Sequence, residues 1–140
     1  MNAEQDKMDF VILAAGHGKR FLSDDPSTRH AKQFELLAGR MVLLHSLDTI
    51  SQWPFCGQIV IVLPQDGVEV DILNSLKTAA SAAPVSVSFT PGGTSRSAST
   101  LNGLKALSAL LPNKLVAIHD AARPFVPHQV LNQLLSACTG

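Results

Sequence analysis

Phe10-Val11-Ile12-Leu13-Ala14-Ala15-Gly16-His17-Gly18-Lys19-Arg20 is the stretch on which the reading of the fold turns. An apolar run with the pattern of a buried strand passes straight into a glycine loop that carries two cations. Gly16 and Gly18 allow a tight bend and a close approach of backbone to ligand. The N–H groups of such a loop can cradle phosphate oxygens, and Lys19 or Arg20 can add positive charge. Ala14 and Ala15 leave room for a flat group against the strand end, as a nucleoside triphosphate would need. Taken alone, the loop also fits a plain strand-to-helix turn that uses glycine for geometry. Two other phosphate loops do not fit. A Walker A loop needs a glycine where Leu13 stands and Ser or Thr where Arg20 stands. A dinucleotide loop needs a small residue where this chain has Phe21.

Three more apolar runs follow, at about Gln58–Leu63, Val85–Phe89 and Leu115–His119, after a first at about Phe10–Ala15. Val and Ile dominate them and polar alternation is weak, as in strands of a parallel sheet covered on both faces. Between and after them lie stripes of helical spacing: Met41, Leu44, Leu47 and Ile50; Ile72, Leu73, Leu76 and Ala80; Leu101, Leu104, Leu107 and Leu111; Val130, Leu131, Leu134 and Leu135. Pro54, Pro84 and Pro112 follow the first three stripes, and Pro127 stands at the start of the fourth. Such alternation predicts an α/β fold with a doubly wound, mostly parallel sheet. Residues 21–30 (Phe21 to His30), rich in Ser, Asp and Pro, read as a surface loop.

The 140 residues predict a single domain, 1–140, with enough chain to bury a core. Eleven basic and eleven acidic residues balance, so no nucleic-acid partner is expected. Cations nevertheless gather early, at Lys19, Arg20, Arg29, Lys32 and Arg40. Two cysteines, Cys56 and Cys138, make no disulfide framework. The first nine residues are polar, and the apolar run after them is too short for a signal segment or a membrane span. A cytoplasmic protein is expected. The five histidines lack zinc spacing, and no serine sits in a nucleophile elbow.

In a parallel sheet, ligands bind beyond the carboxyl ends of the strands. Three segments there carry chemistry. The glycine loop is extended by Lys32-Gln33-Phe34. Pro91-Gly92-Gly93-Thr94-Ser95-Arg96-Ser97-Ala98-Ser99 opens the third helix, where exposed N–H groups and Ser99 could read a base edge; Thr94 or Ser95 is equally suited to cap that helix. His119-Asp120-Ala121-Ala122-Arg123-Pro124 places an acid where it could hold Mg²⁺ or a ribose hydroxyl. An internal Asp120–Arg123 ion pair is the other reading of that segment.

With these segments in order, the chain from about Asp9 onward resembles the 2-C-methyl-D-erythritol 4-phosphate cytidylyltransferases. The resemblance rests on Leu13-Ala14-Ala15-Gly16-x-Gly18-x-Arg20, Lys32-Gln33-Phe34, Gly92-Gly93-x-x-Arg96-x-x-Ser99 and His119-Asp120-Ala121-Ala122-Arg123-Pro124. It implies a nucleotide-diphospho-sugar transferase-like fold and a reaction that joins CTP to a sugar-alcohol phosphate with Mg²⁺. By the same resemblance, Ala14, Ala15, Gly16 and Gly18 form the CTP loop, and Arg20 and Lys32 are the catalytic cations. Gly93 and Ser99 contact cytosine, Asp120 and Ala121 lie near ribose, Asp120 holds the metal, and Arg96 and Arg123 support. The ribitol-5-phosphate cytidylyltransferases share similar segments and are the alternative among enzymes; a non-catalytic CTP-binding fragment or subunit is the alternative outside them. The family is homodimeric through an arm in its C-terminal half, and this chain is expected to be incomplete relative to that pattern. It departs further in Thr94, where the family often has an acid, and in a longer stretch from Phe21 to Ala31.

Overall fold

The computed structural model describes residues 7–16, 31–107 and 114–139. Strands β1 (Met8–Leu13), β4 (Cys56–Leu63), β5 (Val87–Pro91) and β6 (Leu115–Asp120) form one sheet in the order β5-β4-β1-β6. Every pairing in it is parallel. This is the α/β architecture read from the apolar runs. The two inner strands are the buried ones: β1 throughout, β4 from Ile59 onward. The flanking β5 and β6 are only half-covered.

Alternate residues of β1 and β4 face opposite layers, as the period of a strand demands. Phe10, Ile12, Ile59 and Ile61 pack with Leu43, Leu47 and Ile50 of helix α1 (Val42–Ser51), Leu76 of α2 (Val70–Ala82) and Leu131 of α4 (His128–Thr139). Val11, Leu13, Val60 and Val62 pack on the other side, with Leu107 at the end of α3 (Arg96–Ala106). Trp53 sits fully buried after α1, edge-on to Phe10, and donates its indole N–H to Asn132 of α4 at 2.9 Å.

The close seat of α3 depends on Gly103. A Cβ there would collide with Val11 Cγ1 and come within 2.9 Å of Val62 Cγ2. In an ordinary helix interior, Gly→Ala is worth up to about 1 kcal/mol of stabilisation. Here the sign reverses: Gly103→Ala is expected to cost about 1–3 kcal/mol, because both valines belong to the innermost strands. Urea unfolding followed by the fluorescence of Trp53, the only tryptophan, measures it. An unchanged midpoint would mean that α3 does not seat this closely.

Some expectations shift. Strand β5 runs two residues later than the apolar run suggests, because Pro84 ends α2 and the chain needs Val85 and Ser86 to reach the sheet, where Ser86 accepts from Ile59 N–H. Helix α3 stops at Ala106, and Leu111 and Pro112 lie outside the described residues. The stripe on α4 is only partly buried: Leu131 is covered, whereas Val130 and Leu134 are exposed. A short hairpin, β2 (Leu36–Leu37) and β3 (Arg40–Met41), was not read from the sequence. Its turn puts Ala38 and Gly39 at positive φ, as a two-residue hairpin turn requires. Arg40, counted among the early cations, makes a two-pronged ion pair with Asp48 at 2.7 and 2.9 Å.

Candidate functional site

Because the four strands are parallel, their carboxyl ends lie along one edge of the sheet. Strand order reverses at β1, with β4 and β5 to one side and β6 to the other. Open parallel sheets bind ligands at such a switch point. A cavity of about 500 Å³ opens there. Leu13, Ala15 and Gly16 come to it from the end of β1, Gln65 from β4, Gly93, Thr94 and Ser95 from β5, and Asp120 from β6. Arg96 and Ser99 of the first turns of α3 and Gln33 complete the wall. A larger cavity, about 960 Å³, lies between the hairpin and α2 around Phe34, Met41 and Ile72. Of the segments singled out for chemistry it takes only Phe34.

The glycine loop is held from below. Ala14 is buried and donates its N–H to Val62 carbonyl at 2.8 Å, while its own carbonyl accepts from the Gln33 amide. Ala15 and Gly16 face the cavity. Among the described residues, a Cβ at Gly16 would meet no atom within 4 Å beyond its chain neighbours. Gly18 and Arg20 lie outside the described residues. Lys32 opens a 3-10 helix, Lys32–Phe34, and is exposed; it does not line the cavity, although its neighbour Gln33 does.

The second segment turns on Gly92. Its N–H donates to Leu63 carbonyl at 2.6 Å, and a Cβ would lie 2.5 Å from Ala15 Cβ, 2.8 Å from Ser99 Oγ and 3.0 Å from Leu63 carbonyl oxygen. Gly92 therefore brings the two loops together. Gly93 packs on Ala98 and donates its N–H to the buried Ser99 hydroxyl at 3.0 Å. Gly93 and Ser99 thus bind each other. A serine hydroxyl that accepts in this way keeps its own hydrogen to donate. Ser95 caps α3, accepting from Ala98 N–H at 3.0 Å, so the capping reading holds in the same segment that lines the cavity.

The third segment is a tight turn pinned at several points. Ala121 is fully buried and donates its N–H to Leu13 carbonyl at 3.0 Å, so it braces the loop from behind rather than lining the cavity. Asp120 Oδ1 accepts from Ala122 N–H at 2.9 Å. No ion pair joins Asp120 to Arg123 among the described residues; Arg123 is exposed and contributes its carbonyl instead. That carbonyl accepts from Ser46 Oγ and from His119 Nε2–H, each at 2.9 Å. Gln65 is absent from the sequence reading, and Gln33 and Gly92 appear there only within quoted segments, without the contacts they make here.

Burial holds His119 below its ordinary pKa of 6.5, against the opposing pull of the Arg123 carbonyl and the Asp120 charge. The native state therefore favours neutral His119. Its contribution to stability is full above pH 6.5 and is lost as pH falls below that value, where the unfolded chain takes up a proton that the native chain refuses. The thermal midpoint is expected to fall between pH 7 and 5.5, before most carboxylates titrate, and the fall is expected to shrink in His119→Gln. An equal fall in both proteins would assign the pH dependence to other groups.

Among the described residues no helix is long and apolar enough to cross a membrane. The family model for 2-C-methyl-D-erythritol 4-phosphate cytidylyltransferase matches residues 8–140. A protein of that name from Carboxydothermus hydrogenoformans is 32% identical over 130 residues, covering 91% of this chain and 50% of its own length. Another, from Haemophilus influenzae, is 34% identical over 126 residues, covering 90% and 49%. The chain spans about half the length of these relatives. The structure of 4-diphosphocytidyl-2C-methyl-D-erythritol synthase from Anaerococcus prevotii superposes with a TM-score of 0.69 at 28% identity, over 98% of this chain and 53% of that one. A nucleotidyl transferase from Methanothermobacter shares the fold, with a TM-score of 0.66 at 18% identity over 93% of this chain and 57% of that one. The glycine loop, the Gly-Gly helix start and the acid after β6, gathered at one switch point and matched along residues 8–140, place this chain in the 2-C-methyl-D-erythritol 4-phosphate cytidylyltransferase family.

Proposed function

We propose that the chain binds CTP in the 500 Å³ cavity and serves the transfer of its cytidylyl group to 2-C-methyl-D-erythritol 4-phosphate, releasing pyrophosphate. The observation that carries this reading is the convergence of Gly16, Ser99 and Asp120 on one cavity at the β1/β6 switch point. The relatives' names favour methylerythritol phosphate over ribitol phosphate as acceptor.

The chemistry suits the residues. The acceptor phosphate is already a nucleophile, so no protein base is needed. Catalysis then rests on in-line positioning and on neutralising charge at the α-phosphate and the leaving pyrophosphate. In this reading the N–H groups of the glycine loop take phosphate oxygens, and Arg20 and Lys32 supply positive charge. The remaining Ser99 hydrogen donates to an acceptor on the base edge.

Mg²⁺ fits the same cavity. Asp120 brings a carboxylate to it; among the described residues only Oδ1 is engaged, by Ala122 N–H, which leaves Oδ2 for a hard cation. Mg²⁺ commonly takes one or two carboxylates and completes its shell with phosphate oxygens and water. When bound, it would neutralise phosphate charge alongside Arg20 and Lys32. A homodimer, as the family resemblance implies, and a cytoplasmic location belong to the same proposal.

The test is a chimera in which this chain continues into the part of the Haemophilus influenzae relative that it does not span. Pyrophosphate release that requires both CTP and methylerythritol phosphate is expected. Release with ribitol 5-phosphate instead would change the acceptor. A folded chimera that releases none would contradict the activity.

A further inference from the structure

We propose that Gln33 is the positioning residue of the glycine loop, a role that rests on reading the 500 Å³ cavity as a nucleotide site. Gln33 is buried, and its side-chain nitrogen donates to two carbonyls of the loop: Ala14 at 3.0 Å and Gly16 at 2.7 Å. Both hydrogens of the amide are thereby used. Turned the other way, the amide would set its oxygen against two carbonyl oxygens, so its orientation is fixed by the loop it holds.

The consequence follows from peptide geometry. In a trans peptide, the N–H points away from the C=O of the same unit. Holding the Ala14 carbonyl on Gln33 turns Ala15 N–H away from Gln33. Holding the Gly16 carbonyl keeps a second oxygen from swinging toward the ligand. A phosphate cradle needs both conditions: N–H groups presented and carbonyl oxygens withdrawn, since an oxygen dipole facing a triphosphate repels it. Gln33 meets them before any ligand arrives, so that part of the ordering cost is already met in the free protein.

Gln33 also has a second attachment. It sits between exposed Lys32 and buried Phe34 in one short 3-10 helix, closed by Phe34 N–H to Ala31 carbonyl at 2.9 Å. Phe34 anchors that helix in the core. The two hydrogen bonds of Gln33 span 19 and 17 residues of sequence and tie the helix to the loop. The backbone that carries Lys32 is thus set at a fixed place beside the cavity even though Lys32 does not line it.

Two variants test this. Gln33→Met keeps length and removes both donors. Gln33→Glu keeps shape but, when ionised, offers only acceptors to two carbonyls; when protonated it regains one donor. In ligand-free protein, Gln33→Met is expected to speed amide exchange at Ala14, whose N–H is held by the Val62 carbonyl, by about tenfold or more, as local opening becomes easier. It is expected to weaken CTP–Mg²⁺ binding about 30-fold, the loss for two neutral hydrogen bonds. For Gln33→Glu, the ratio of its CTP dissociation constant to that of wild type is expected to fall severalfold from pH 8 to pH 6, because a buried Glu protonates in this range. A role confined to stability would shift the Trp53 unfolding transition and leave that ratio flat with pH. Unchanged exchange in Gln33→Met, or a pH-independent ratio in Gln33→Glu, overturns the proposal. The exchange measurement needs no nucleotide, so a wild type that binds no CTP would defeat the nucleotide reading while the positioning claim is still decided.

Discussion

Gly92→Ala is expected to cost about 3 kcal/mol of stability and to weaken CTP binding roughly 10- to 100-fold. The added methyl has nowhere to go. It would lie 2.5 Å from Ala15 Cβ, 2.8 Å from Ser99 Oγ and 3.0 Å from a backbone oxygen of β4. Backbone cannot yield as a flexible side chain can, so the β5 loop must move away from the glycine loop. That movement breaks the 2.6 Å bond from Gly92 N–H to Leu63 and draws Gly93 from the Ser99 hydroxyl. Thermal unfolding and CTP titration read the two effects separately. Gly16→Ala is the control: its methyl meets no atom of the other described residues within 4 Å, so stability is expected to hold while the methyl intrudes on the cavity. Equal stability of Gly92→Ala and wild type would show that the two loops are not in contact.

Asp120→Ala is expected to weaken CTP–Mg²⁺ binding about 10- to 100-fold, the range for losing a charge-assisted contact. The same change removes the bond from Ala122 N–H to Oδ1, which costs the turn about 1 kcal/mol. Asp120→Asn separates the two effects. Its amide oxygen can still accept from Ala122 N–H, so the turn survives, but it brings no negative charge to a cation. Titrations with and without Mg²⁺ check the assignment. If Asp120→Asn loses affinity equally in both, Asp120 acts on the nucleotide alone and the metal role is wrong.

The parallel sheet was legible because its buried strands are runs of Val and Ile with Pro and Gly between them. β1 and β4 follow this rule closely, since both faces of each are covered. The flanks were harder. Val130 and Leu134 have helical spacing with Leu131, yet spacing cannot tell which face of α4 meets the sheet. The β2–β3 turn escaped notice because Ala38 takes a positive φ that Asn or Asp more often signals.

In the site, the residues visible in sequence were those whose type is unusual after a strand: Gly16, Gly93, Ser99 and Asp120. Gln65 carries no local signal, because a lone glutamine fits any surface, and Gln33 stood out only as the middle of Lys32-Gln33-Phe34, with nothing local to show what its amide holds. The role of Gln33 depends on carbonyls 19 and 17 residues away. The Asp120–Arg123 pair suggested by proximity in sequence does not form: Asp120 turns back to Ala122 N–H, and Arg123, exposed, contributes its backbone carbonyl to Ser46 and His119.

Calorimetric titration of the chain with CTP and Mg²⁺, against ATP, GTP and UTP, tests the central claim most directly. Saturable binding that prefers CTP is the predicted result. A folded chain, with the Trp53 transition intact, that binds none of the four or binds them alike would contradict a cytidine site at the β1/β6 switch point.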